Sequence, residues 1–147
     1  MLEKEITDAL KAALKEGDKV KVSTLRMLIA EIKNKKIAEK ASELDDDSII
    51  ALLQKMVRKH KESIEQFKAG GREDLVSKET QEMAVLEKYL PEMISEEELA
   101  RVVAEEIEKA GAASPKDMGT VMGAVMARVK GRADGKVISA LVREKLS

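Results

Sequence analysis

Short breaks divide this chain, and between them apolar residues return every three or four positions. The breaks fall at Gly17-Asp18, Asp45-Asp46-Asp47-Ser48, Gly70-Gly71, Pro91, Gly111 with Ser114-Pro115, and Gly131 to Asp134. Three-and-four spacing is the mark of amphipathic helices, and glycine, aspartate, serine and proline are the residues that stop and start them. Aromatic residues make up 1% of the chain and prolines number two, so the turn and β-branched signals of an all-β protein are missing. The expected fold is all-α: a four-helix N-terminal domain over residues 1–92, followed by a small three-helix C-terminal domain over residues 93–147.

The apolar stripes assign the buried faces. Ile6, Leu10, Ala13 and Leu14 line the first helix, and Leu25, Leu28, Ile29 and Ile32 the second. The third carries Ile49, Leu53, Met56, His60, Ile64 and Phe67, with Asp45 to Ser48 as its cap and negative first turn. His60 is the single histidine; no Ser, Cys or Asp partner stands near it in sequence, so it reads as a core or boundary residue. Leu75, Met83, Leu86 and Leu90 serve a fourth helix running to about Leu90, where Pro91 breaks the pattern. Ser95-Glu96-Glu97-Glu98 is a capping box opening the fifth helix. Ser114 is expected to cap the sixth, with Pro115 in its first turn, and Val137, Ile138, Leu141, Val142 and Leu146 to face inward from the seventh.

The run from Asp117 to Lys136 has a different character. Gly119 and Gly123 stand four apart inside a helical pattern, where each glycine costs about 1 kcal/mol relative to alanine. On a wheel of about 100° per residue, Met118, Val121, Met122, Val125 and Val129 form the core face. The other side gathers Gly119, Thr120, Gly123, Ala124 and Ala127. Either a second helix packs directly on this small-residue face or a partner does. From Gly111 to Ser147 the charge is +4, while Ser95 to Ala110 carries −4, inside a chain whose net charge is −1. The positive end offers sequence-neutral phosphate contact, and without aromatics it has no base-stacking platform.

With no cysteine, disulfides, thiolate metal sites and cysteine nucleophiles are excluded. The charged N-terminus has no signal-peptide core and no run reaches the roughly 18 apolar residues of a membrane span. A cytoplasmic monomer with no membrane partner is the expectation. No catalytic residues, metal ligands or cofactor are expected, since neither an activated nucleophile nor a nucleotide-bound Mg²⁺ carboxylate set is visible.

The chain resembles the YqeY-like family in Arg26 to Asn34, Ser63 to Phe67, Gly71 to Leu75, Tyr89-Leu90-Pro91 and the run from Asp117 through Gly131-Arg132-Ala133-Asp134-Gly135-Lys136. The C-terminal part of that family is similar to the tail domain of the tRNA-dependent amidotransferase B subunit, which reads Asn-Pro where this chain has Asp134-Gly135. The resemblance implies two hinged helical domains and an accessory module that binds tRNA, or an amidotransferase or aminoacyl-tRNA synthetase carrying it. The implied RNA-binding residues are Gly119, Gly123, Lys130, Gly131, Arg132 and Lys136, and the local positive charge adds Arg128 to them. A protein–protein adaptor is the alternative, and a carbon–nitrogen ligase with an amido donor is a further one that rests on family labelling alone.

Overall fold

The computed structural model describes residues 1–147 and is all-helical. The helices are α1 (Leu2–Glu16), α2 (Lys19–Glu39), α3 (Asp46–Ala69), α4 (Glu73–Glu87), α5 (Glu96–Ala110), α6 (Met118–Val129) and α7 (Gly135–Leu146). A single 3₁₀ turn, Pro115–Asp117, precedes α6. The chain forms two compact units, Met1–Leu90 and Pro91–Ser147. No helix is long and apolar enough to cross a membrane.

In the N-terminal unit the caps follow the sequence closely. Gly17 stops α1 in the left-handed conformation (φ 74°), where a side chain would be strained. The Asp18 carboxylate accepts from the Lys21 amide, and Asp45 accepts from the Ser48 amide at 2.8 Å. The core joins Ile6 of α1, Leu25, Leu28 and Ile32 of α2, Ile49 and Leu53 of α3, and Leu86 of α4. α4 packs along α3 and also touches α2. Leu14, placed on the α1 stripe by spacing, is 50% exposed. It lies roughly 100° around the helix from the line through Leu2, Ile6, Ala9 and Ala13, and these residues take the interior. α4 ends at Glu87 rather than Leu90, and the amides of Tyr89 and Leu90 close tighter turns onto Leu86 and Glu87 ahead of Pro91.

In the C-terminal unit Leu99, Val102 and Val103 of α5, Val121, Val125 and Val129 of α6, and Ile138, Val142 and Leu146 of α7 share one core. Ser95 accepts from the Glu98 amide as a cap should. Ser114 makes no such bond; instead the Asp117 carboxylate accepts from the Ala113 amide, and the 3₁₀ turn carries the entry to α6. Val137 is 43% exposed, because Ile138, Val142 and Leu146 define a line well over 90° away from it.

Candidate functional site

α6 buries its valines against α5 and α7, which turns its small residues outward. Gly119, Thr120, Gly123 and Ala127 are exposed, and a Cβ built at Gly119 or Gly123 meets nothing within 4 Å. Close packing against a neighbouring helix is therefore not what these glycines serve in this fold. At about 100° per residue, Gly119, Gly123, Met126 and Lys130 fall within one narrow stripe, with Met126 49% exposed. Lys130, exposed, caps the C-terminal end, and Lys116, also exposed, sits in the 3₁₀ turn at the other end. Neither lysine makes an ion pair.

The remaining basic candidates are placed differently. Arg128 points away from the stripe toward α5, where its Nη1 donates to Glu105 at 2.9 Å and to Glu106 at 3.2 Å. The hydrogen bond from Arg128 is the main reason the Glu105 carboxyl is held below the ordinary carboxylate range. Glu106 is buried, so Arg128 neutralises a charge the unit has taken out of water. Arg132 donates from Nε to the Glu92 carbonyl at 3.1 Å, and its own carbonyl accepts from the Ile94 amide at 2.8 Å. This pair stitches the start of the unit to the turn before α7. Gly131 occupies the left-handed region (φ 76°), which lets the chain reverse there. Lys136 is exposed in the first turn of α7 and borders a shallow groove with Glu96, Leu141 and Glu144. Of the seven residues singled out from sequence, Gly119, Gly123 and Lys130 are thus brought into line. Arg128, Gly131 and Arg132 build the scaffold, and Lys136 stands beside acidic neighbours.

Because a methyl group at either glycine meets only open space, Gly119→Ala and Gly123→Ala are each expected to raise stability by about 1 kcal/mol. Urea unfolding of the single variants checks this; a loss of stability would mean that something in the folded protein does occupy the face.

Sequence reasoning did not anticipate a second feature, in the N-terminal unit. His60 of α3 meets Glu79 and Glu82 of α4: its Nδ1 is in hydrogen-bond contact with Glu79 Oε2 and lies 3.9 Å from Glu82 Oε2. All three are largely shielded from solvent. They border a cavity of about 250 Å³ whose wall includes Met27, Leu52, Met56 and Ser63. A signal was present. His60 lies on the apolar stripe of α3, Glu79 and Glu82 lie on the line of Leu75 and Leu86 on α4, and an antiparallel pair folded at Gly70-Gly71 brings them level.

An all-helical chain of two small units, with an outward-facing small-residue helix in the second, is the class of protein this architecture defines. The Yqey-like protein family matches residues 3–146, and the chain belongs to that family. It is 34% identical over 138 residues to "Altered inheritance of mitochondria protein 41, mitochondrial" of Pyrenophora tritici-repentis, covering 92% of this chain and 75% of that protein. The like-named protein of Saccharomyces cerevisiae (strain ATCC 204508 / S288c) is 37% identical over 90 residues, which is 61% of this chain and 49% of the relative. That of Kluyveromyces lactis is 39% identical over 97 residues, 64% of this chain and 52% of the relative. The chain thus spans about half the length of the yeast relatives it matches. These relatives are named as mitochondrial proteins, which overturns the cytoplasmic setting expected from the sequence. The absence of cysteine bears on disulfides, and it does not distinguish one organelle from another.

Proposed function

We propose that this protein is a non-catalytic accessory module that binds tRNA, free or held in an amidotransferase complex, through the outward face of α6. In this reading the four N-terminal helices form one domain and the three C-terminal helices the RNA-facing one. The observation that carries it is the exposure of Gly119 and Gly123 on one stripe with Lys130, between two unpaired lysines. The missing side chains at Gly119 and Gly123 let a sugar–phosphate backbone approach the helix closely there, and lysines at its ends supply charge without reading sequence. The overall charge of −1 suits a contact confined to one patch.

Binding of bulk tRNA measured from low to near-physiological salt tests the reading. With Lys116, Lys130 and Lys136 each neutralising one phosphate, log affinity should fall against log salt with a slope of about −2 to −3. No binding at low salt rejects the proposal. A protein adaptor is the second reading, favoured by Met126, whose half-exposed thioether lies on the same stripe. An apolar contact of that kind binds a protein with little response to salt.

A further inference from the structure

We propose that His60, Glu79 and Glu82 form a binding site for a divalent transition-metal ion of the zinc class. These three residues occupy positions on facing helix stripes where apolar side chains would complete the hairpin core. Facing helices with carboxylates one turn apart and a histidine opposite are a recurrent way to build a metal site inside a helical bundle. Glu82 supplies an independent observation. The residue is only 9% exposed, makes no hydrogen bond, and borders the cavity. A carboxylate held mostly out of water is stabilised by a cation beside it. His60 Nδ1 lies 3.9 Å from Glu82 Oε2 and is already in contact with Glu79.

The ligand atoms of the three residues all lie within 4.8 Å of one another. Zinc binds imidazole nitrogen and carboxylate oxygen at about 2.0–2.2 Å, which places tetrahedral ligands roughly 3.5 Å apart. Side-chain shifts of about an ångström or less bring ligand atoms within 4.8 Å of one another to that spacing. Two carboxylates and one neutral imidazole balance a dication to zero net charge. The mixed nitrogen and oxygen set favours zinc and its neighbours over Mg²⁺ and Ca²⁺, which require all-oxygen shells. A fourth position opens on the cavity, where Lys55 and Lys59 also stand on the wall, so a water or a small anion completes the shell.

Calorimetric titration of the full chain with Zn²⁺, paired with the visible spectrum of the Co²⁺-loaded protein, decides the question. One Zn²⁺ per chain and the strong bands of tetrahedral cobalt are expected. His60→Gln and the isosteric Glu82→Gln should each weaken binding at least roughly 100-fold, while Glu62→Gln, exposed on the same helix, leaves it unchanged. Circular dichroism of the metal-free variants establishes that they fold, and Glu82→Gln preserves shape if His60→Gln does not. Failure to reach a one-to-one stoichiometry, or equal binding by wild type and both ligand variants, overturns the assignment.

Discussion

Reversing Lys116 and Lys130 together to glutamate should reduce tRNA affinity about a hundredfold at low salt and flatten the salt slope by about two. The two side chains bracket α6, are exposed, and hold no structural partner, so their reversal changes the potential along the glycine stripe while leaving the core untouched. Arg128 is the informative contrast. Its charge is held by Glu105 and by buried Glu106, so Arg128→Ala leaves Glu106 only the longer 3.6 Å pair with exposed Lys109 and lowers the unfolding midpoint. Affinity per folded molecule is expected to stay near wild type in that variant. Arg132 behaves similarly, since its Nε–H···O bond to Glu92 belongs to the turn. Lys136, bordered by Glu96 and Glu144, should contribute less than Lys130. Filter binding across the set checks the order. If Arg128→Ala weakens binding as much as the double reversal does, the interface lies on the α5 side of α6.

That ranking also marks where sequence stops informing. The breaks at Gly17, Gly111 and Gly131 were readable because each needs a left-handed residue, a property local to one position. The core face of α6 was readable for the same reason: Val121, Val125 and Val129 repeat within one helix. What opposes the other face is a property of two helices, and periodicity cannot distinguish a packed glycine from an exposed one. Arg128 counted as one unit of positive charge in sequence, yet its partners stand more than twenty residues away on α5. The His60 cluster was half-visible. His60 stands on its stripe, but nothing local singles out Glu79 and Glu82 from the other acidic residues, which are usually solvated. Only the level pairing of α3 with α4 brings the three together.

The same distinction between local pattern and pairing governs a large stability effect. Leu53 and Leu14 are both leucines on apolar runs, but Leu53 is 0% exposed and Leu14 is 50% exposed. Leu53→Ala removes a side chain from the meeting of α1, α2, α3 and α4, where neighbours such as Leu28 and Leu86 are themselves fully buried. Close-packed interiors collapse only partly onto such a gap, so the expected loss is about 3 kcal/mol. A domain of this size has roughly 5–13 kcal/mol in total, so that loss removes a large share of it. The midpoint of the N-terminal transition should fall by roughly 12–24 °C. Leu14→Ala, by contrast, should stay within about 0.5 kcal/mol of wild type, since its side chain already stands half in water. Thermal unfolding followed by circular dichroism separates the two. Equal losses would mean that something covers Leu14 in solution. A small loss at Leu53 would mean that the hairpin of α3 and α4 does not close over α1 and α2 as described, and the His60 site would lose its geometry with it.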